Sequence, residues 1–252
     1  MKRAVELPQT DDESNAPGTI AESAYRRFRR DILSGRLGPD SPLRSDDLRK
    51  AYDVGVSPLR EALSRLVSER LVVASAQRGF RVAPLSVDDV MDTLQARLLI
   101  EREALSRSID TRDVEWEAQL LSSYHRLSRI PVPSAPGPES ELWRKHHREF
   151  HSALLAGCGS RWLQSLASSL FDHAERHRQI AIGPTTKSKR SAAKEHSAIV
   201  TAALAGDKAR ALDMLEAHFS ETARMVVDEL SSQDARGKAA APRAQSRRKV
   251  QA

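Results

Sequence analysis

The chain has 252 residues, of which 40% are apolar but only 4% aromatic, and it contains a single cysteine, Cys158. The scarcity of aromatic residues favours packed helices over a β-sandwich, and one cysteine excludes a disulfide framework. The sequence contains no run of about 18 apolar residues and no secretory signal, so we expect a cytoplasmic protein without a membrane partner. The net charge of +6 is concentrated in residues 19–84 and 231–252, which carry +5 each and indicate either a polyanionic partner or solvated surface charge.

The first predicted helices follow residues 1–18, whose Pro, Gly, Ser and acidic content predicts disorder. Apolar residues at helical period predict a helix from about Ile20 to Ser34. Ser45 is expected to cap a short second helix, and Ser57 with Pro58 directly after it predicts the start of a third. The second and third helices, with the turn between them, predict a helix-turn-helix.

Two short strands are predicted after these helices, at residues 71–73 and 80–82, with Gln77, Arg78 and Gly79 at the tip between them. A helix-turn-helix followed by such a ribbon is a winged helix-turn-helix, which places the second helix of the motif, the recognition helix, in the major groove of DNA. We therefore predict a DNA-binding domain over residues 19–84.

Residues 85–230 show only helical periodicity and predict an all-helical bundle. The predicted helices cover roughly residues 87–108, 111–129, 139–157, 160–181, 188–205 and 208–230. Residues 231–252 have little apolar bulk and are predicted to form a basic disordered tail. The predicted fold class is mostly α, with a winged helix-turn-helix domain followed by the bundle.

A pattern of residues runs in order through the predicted DNA-binding domain. It comprises Tyr25, Ile32, Gly35, Leu37, Pro39, residues 57–66 (SPLREALSRL), residues 71–73, Arg78, Gly79, Phe80 and Val82. This pattern resembles the GntR superfamily of bacterial transcription regulators. The helical remainder looks like the FadR-type ligand-binding domain, often called FCD, and the segments SPLREAL and RGFRVAP look most like the carbon-starvation-induced (CsiR-type) repressors.

The arginines of this domain are the first candidates for contact with DNA. Arg60 falls in the first turn of the recognition helix, where free backbone N–H groups favour phosphate and side chains reach base edges. Many relatives carry arginine where this chain has Asp46 and Val56, and Arg44 or Arg49 could supply that charge instead. For each arginine the alternative is a solvated surface side chain. The candidate DNA-binding residues are Arg44, Arg49, Ser57, Pro58, Arg60, Arg65, Gln77, Arg78 and Gly79.

Four histidines in the predicted bundle suggest a metal site. His147 and His151 lie four residues apart and share a helix face, and His196 and His218 lie on two later helices. The resemblance to FCD implies a metal held by D-x3-H and two single histidines, and here His147 stands in place of the usual aspartate. An all-imidazole site favours a divalent metal such as Zn²⁺ or Ni²⁺ over Mg²⁺. The alternative is a set of polar core or surface histidines without metal.

Two further features of the bundle concern the histidines and the effector. His173 and His177 also have i,i+4 spacing, but the charged residues around them favour exposure. Arg97 matches an arginine commonly found in the family and could pair with a carboxylate effector, while Glu101, four residues on, offers an intramolecular alternative. A metal together with Arg97 suggests a small organic acid as the effector.

The features above favour a transcription regulator, not an enzyme, over two alternatives. We expect a homodimer that binds a pseudo-palindromic DNA operator and whose affinity for that operator is altered when a small organic acid binds. The favoured polarity is repression that the acid relieves. A metal-dependent hydrolase is disfavoured because Glu149 gives H-R-E-F-H and not the zincin motif H-E-x-x-H. A non-DNA helical interaction protein would leave the winged helix-turn-helix pattern without a role.

Overall fold

The computed structural model describes residues 19–75, 79–133, 138–181 and 191–240. Within these ranges the chain forms α1 (Ile20–Leu33), β1 (Pro42–Leu43), α2 (Ser45–Tyr52), α3 (Val56–Ser68), β2 (Val72–Ser75), β3 (Gly79–Val82), α4 (Val87–Thr111), α5 (Val114–Ser128), α6 (Pro138–Leu155), a 3₁₀ turn (Ala156–Cys158), α7 (Arg161–Ala181), α8 (Ala192–Ala205) and α9 (Lys208–Ala240). The predicted fold class, mostly α with a winged helix-turn-helix first, is confirmed. None of the described helices combines the length and the hydropathy needed to cross a bilayer.

The N-terminal unit packs α1 and α2 against the apolar face of α3. Phe28 and Ile32 from α1 meet Leu59, Leu63 and Leu66 from α3, and all five side chains are buried. Because these residues recur at three- and four-residue spacing, each helix presents one apolar stripe to the other. This small core fixes the direction in which the opposite face of α3 points.

The wing is a three-stranded antiparallel sheet in the order β1-β3-β2. Two strands were predicted, and β1 is an addition that pairs Leu43 with Phe80 at the edge of β3. A strand of two residues is too short to show the alternation of apolar and polar side chains from which strands are predicted. The sheet is thereby anchored to the segment just before α2.

The starts of α2 and α3 differ from the predicted capping. Ser45 is the first helical residue of α2, and Arg44 occupies the capping position without a side-chain hydrogen bond. An extended Gly55 precedes α3, which places Ser57 and Pro58 inside its first turn. The first four N–H groups of a helix have no intrahelical acceptor, so a proline in this turn loses no hydrogen bond. The earlier start leaves both residues at the exposed end of the recognition helix.

The C-terminal bundle is built around α4, which packs against α7 and α9. Its core is aliphatic with a few aromatic rings, and the indole N–H of Trp116 on α5 donates to the carbonyl of Ala153 on α6 at 2.9 Å. A buried N–H that finds an acceptor in this way fixes the pairing of the two helices. The same pairing positions the histidine-bearing face of α6 toward α8 and α9.

The last helix runs ten residues past its predicted end near Leu230, to Ala240. Arg236 pairs with Glu229 at 2.6 Å, and the Ser232 hydroxyl donates to the carbonyl of Asp228 at 2.8 Å. Polar contacts along one side of a helix stabilise it even where it has no apolar stripe. The prediction depended on an apolar stripe and therefore ended the helix too early. The predicted disorder of residues 1–18 and of the tail beyond 240 falls outside the described residues.

Candidate metal centre and DNA-binding surface

The four predicted histidines meet in the core of the bundle. His147 and His151 come from α6, His196 from α8 and His218 from α9, and one nitrogen of each lies within 4.8 Å of the others. All four side chains are buried. In a tetrahedral site with Zn–N distances of about 2.0–2.1 Å the ligand nitrogens lie about 3.4 Å apart, so the four rings need to close in by about an ångström to hold one ion together.

The cluster carries buried nitrogens that lack hydrogen-bond partners. The Nε2 atoms of His147 and His151 are 3.1 Å apart, while the Nδ1 atoms of both rings are buried and find no hydrogen-bond partner among the described residues. A buried polar atom left without a partner costs about 1–3 kcal/mol, so it calls for a water or an ion. The donor set therefore fits a metal.

The protonation state of the cluster also suits a metal. Burial lowers the pKa of His147 and His151 well below the usual histidine range, and the neighbouring imidazoles add to the effect. The two rings are consequently neutral at neutral pH, and neutral imidazole is the form that binds a metal.

A carboxylate behind the ring orients one of the histidines, since Glu195 Oε2 lies 2.7 Å from Nδ1 of His218. Glu175 Oε2 lies 3.9 Å from Nδ1 of His147, too far for a hydrogen bond but close enough to add negative charge beside the cluster. Burial alone would raise the pKa of Glu175, but Arg178 nearby holds it below its usual range, so this carboxylate is charged. A carboxylate behind an imidazole fixes its tautomer and increases its basicity toward a metal.

A cavity of about 420 Å³ lies beside the histidine cluster. His151 belongs to both, and the cavity is otherwise lined by residues of α4, α5, α6 and α7 that include Glu101, Arg126, Arg148, Glu149 and Gln164. The two arginines of the lining could pair with an anion, whereas its two glutamates oppose one. Neither Arg126 nor Arg148 was predicted from the sequence. Arg148 precedes His151 by three residues, so helical spacing was the signal that could have placed it there.

Arg97 takes the intramolecular alternative. It is 6% exposed, its Nε donates to Glu101 Oε1 at 2.6 Å, and its guanidinium lies 3.6 Å above the ring of Phe219. Burial raises the pKa of Glu101, and Arg97 opposes that rise. The predicted contact between Arg97 and an effector stays a prediction, since Glu101 and not Arg97 lines the cavity.

The expected exposure of His173 and His177 is wrong. His177 is 2% exposed and lies 2.8 Å from Asp89 Oδ2, and Nε2 of the half-buried His173 donates to the carbonyl of Glu69 at 2.9 Å. The first contact arises because α7 packs against the start of α4, and the second because α7 also passes beneath the N-terminal unit. Charge patterns near the pair could not reveal either packing.

The predicted DNA-binding residues lie mainly on one surface of the N-terminal unit. Two exposed arginines belong to α2: Arg44 directly precedes the helix and Arg49 lies within it. The start of α3 carries the exposed Ser57 and Arg60 and the half-buried Pro58. In a helix-turn-helix, side chains near the N-terminal end of the second helix contact bases and phosphates. The contacts of these residues with DNA stay a prediction.

Arg65 and the wing tip differ from that group. The Arg65 guanidinium pairs with Glu22 and lies 3.8 Å from the centre of the Tyr25 ring, so it is held against α1. Gly79 opens β3 with φ +71°, a left-handed conformation that favours glycine. Gln77 and Arg78 lie outside the described residues.

Comparison with known proteins gives the same two-part organisation. Residues 20–82 match the family model "Bacterial regulatory proteins, gntR family", and residues 92–221 match the FCD domain. The uncharacterized HTH-type transcriptional regulator BphR of Paraburkholderia xenovorans is 38% identical over 82% of this chain and 85% of its own length. The HTH-type transcriptional repressor GlaR of Escherichia coli K12 is 39% identical over 77% of this chain and 90% of its own length.

A solved structure supports the fold. The structure of E. coli McbR/YncC covers 85% of this chain and all of its own chain at a TM-score of 0.68, with 17% sequence identity. The matched families and relatives are transcription regulators and not enzymes. The chain therefore belongs to the GntR family of bacterial regulatory proteins, with an FCD domain behind its helix-turn-helix, and it is a DNA-binding transcription regulator.

Proposed function

We propose that this regulator is a repressor whose affinity for operator DNA is controlled by a small carboxylate bound beside a metal in the helical domain. The observation that carries the proposal is the buried cluster of four histidines, one of which, His151, also lines a cavity containing arginines. A site that joins a metal to a partly cationic cavity offers two independent attractions for the same anion.

The metal is held by His147, His151, His196 and His218. A ligand set of four imidazoles without a carboxylate favours a metal ion of borderline hardness, and we propose Zn²⁺ or Ni²⁺. When bound, the ion supplies a Lewis-acid anchor for a carboxylate oxygen. The rings themselves contribute a rigid cage, because Phe150 and Phe171 pack against His151 and Phe219 packs against His218.

The effector is proposed to be a small organic acid. Arg148 and Arg126 line the cavity and can donate to a carboxylate in the two-pronged geometry that a guanidinium favours. Arg97 pairs with Glu101, which lines the cavity, and Arg97 binds the effector directly when the effector carboxylate displaces Glu101. Glu101 and Glu149 in the same lining disfavour a highly charged anion and restrict where the effector carboxylate can lie.

DNA binding is proposed to use a homodimer of this chain. Two copies of α3 would enter successive major grooves about 34–36 Å apart, and the operator would be a pseudo-palindrome. Arg60, Arg44 and Arg49 are the proposed contacts from the described part of the surface, with Ser57 and Pro58 at the helix start. Arg65, Gln77, Arg78 and Gly79 remain proposed contacts on the strength of the sequence.

Metal analysis tests the centre of this proposal. We expect the purified protein to hold about one Zn²⁺ or Ni²⁺ per chain, and added metal to raise the melting temperature of chelated protein, since an ion at 100 times its Kd stabilises the folded state by about 2.7 kcal/mol. His196→Ala should abolish both effects. His125→Ala, which removes an exposed histidine from α5, is the matched control and should behave as wild type. A wild-type protein without bound metal and without a metal-dependent melting temperature would refute the site.

A further inference from the structure

The junction between the DNA-binding unit and the bundle is built from charged side chains on α1, α6 and α7. Arg29 on α1 donates from Nε to Glu69 Oε2 at 2.8 Å and from a terminal nitrogen to Oδ2 of Asp172 on α7. Glu69 directly follows the recognition helix α3, and its carbonyl also accepts from His173 of α7. One arginine therefore connects the end of the recognition helix to the bundle.

The second oxygen of Asp172 is held from the other side. Arg148 of α6 forms an ion pair with Oδ1 of Asp172, and its guanidinium lies 4.8 Å from the centre of the Phe171 ring. Arg148 also lines the cavity beside the histidine cluster. Asp172 thus stands between a cation that faces the cavity and a cation that belongs to the DNA-binding unit.

The burial of Asp172 makes this arrangement sensitive to either partner. Only 4% of the residue is exposed, and a buried carboxylate is stable in its charged form only while cations and hydrogen bonds compensate for the lost hydration. Removing Arg148 from Asp172 leaves Arg29 as its remaining arginine. Arg29 then has to compensate the charge of Asp172 alone, and Arg29 is also the side chain that pairs with Glu69.

We propose that Arg148, Asp172 and Arg29 couple occupation of the cavity by an anion to the position of the recognition helix. The inference rests on the proposed function, which places a carboxylate in that cavity. An anion there competes with Asp172 for the Arg148 guanidinium, and Asp172 then draws on Arg29 alone. The bond from Arg29 to Glu69 yields, and the end of α3 shifts against α7.

Other contacts of α7 carry the same shift. Arg176, one turn after Asp172, donates to the carbonyl of Ala83 at the end of the wing, and His177 pairs with Asp89 in the first turn of α4. Both bonds tie the N-terminal unit and its connection to one face of α7. A change at Asp172 is therefore felt by the wing as well as by α3.

A double-mutant cycle tests the coupling without any effector. The duplex is selected from a random pool by the wild-type protein, and its Kd is then measured for Arg148→Gln, Arg29→Gln and the double variant. Each single variant should weaken binding about fivefold or more, in the range usual for coupled sites, and the double variant should be no weaker than the poorer single one. Arg148→Lys, which keeps the cation, should recover most of the affinity.

Arg107→Gln is the matched control because Arg107 is exposed on α4 and pairs with Glu103, outside both the cavity and the junction. It should bind the duplex as wild type does. Hydrogen exchange supplies a readout that is independent of DNA: Arg148→Gln should increase exchange in α1 and in the last turn of α3, and Arg107→Gln should not.

Additive effects of Arg148→Gln and Arg29→Gln, or wild-type affinity and exchange in Arg148→Gln, would overturn the coupling. Failure of the proposed function gives a different pattern. In that case the wild-type protein holds no metal, whereas the double-mutant cycle can still show coupling between Arg148 and Arg29, because it is measured without metal or effector.

Discussion

Arg60 and Arg65 lie on the same helix but face different surroundings. Arg60 is exposed in the first turn of α3, whereas Arg65 pairs with Glu22 and lies against the ring of Tyr25. A guanidinium already held by a carboxylate and an aromatic face gives up both contacts if it turns to DNA. Arg60 is therefore the residue with which base recognition is best tested.

Arg60→Ala should lower affinity for the selected operator duplex by about 1–3 kcal/mol, the usual contribution of one good base contact. The melting temperature should stay unchanged, because an exposed side chain contributes little to stability. Fluorescence anisotropy with operator and scrambled duplexes measures both affinity and discrimination. Arg107→Ala removes the same charge from the exposed face of α4 and should leave the Kd at the wild-type value. Equal affinities for the Arg60→Ala and Arg107→Ala proteins would mean that α3 does not contact bases through Arg60.

The residues of the histidine cluster could be predicted, and those of the junction could not. Two of the four histidines share a helix face by their spacing, and the resemblance to FCD supplied the other two. The bond from Arg29 to Asp172 joins residues 143 positions apart, and no local pattern marks either one as a partner. Which arginine meets which carboxylate depends on how α1 packs on α7, and this packing is decided by the whole core.

At the scale of elements, the end of α8 depends on one glycine. Gly206 has φ +75° and accepts no side chain without strain, and a Cβ there would lie 2.6 Å from a terminal nitrogen of Arg112. Arg112 in turn donates to the carbonyl of Leu204 at 3.3 Å, so α4 and α8 end against each other. The short connection to α9 follows directly, and it sets the angle at which His218 approaches His196.

Gly206→Ala should therefore destabilise the bundle. A left-handed position and a displaced arginine cost about 1 kcal/mol or more, which lowers the melting temperature of a chain of this length by about 2–4 °C per kcal/mol. Gly38→Ala is the matched control, since a Cβ at this position would meet no other atom within 4 Å and the backbone of Gly38 is not left-handed. Identical melting temperatures for the two variants would show that the α8 end tolerates a side chain.

The elements of the fold could be predicted to different degrees. Helices with an apolar stripe, such as α4 and α7, were predicted within a few residues because burial imposes the 3.6-residue period. Strand β1 and the last ten residues of α9 escaped prediction because pairing with a neighbouring strand and polar contacts along a helix leave no such period. The position of α7 beneath the DNA-binding unit likewise has no local signature.

At the scale of the whole molecule, the stability of the bundle is linked to the histidine cluster. The four rings join α6, α8 and α9, so their protonation acts on three helices at once. Burial lowers the pKa of His147 and His151 well below the ordinary value of 6.5 in the folded protein, whereas the unfolded chain takes up the protons near that value. Between the two pKa values the unfolded state binds more protons, so the free energy of unfolding falls as the pH decreases.

The chelated protein should consequently be most stable above about pH 6.5 and should lose up to about 1.4 kcal/mol per pH unit for each of the two histidines below it. Urea unfolding between pH 7.5 and 5.5 measures this slope. His151→Gln removes one of the titrating rings and should flatten the curve, whatever its effect on stability at pH 7.5. His125→Gln, at an exposed position of α5, should give a curve parallel to that of the wild type. Parallel curves for all three proteins would mean that the rings accept protons in the folded state, and the cluster would then have to be more open to water than its burial indicates.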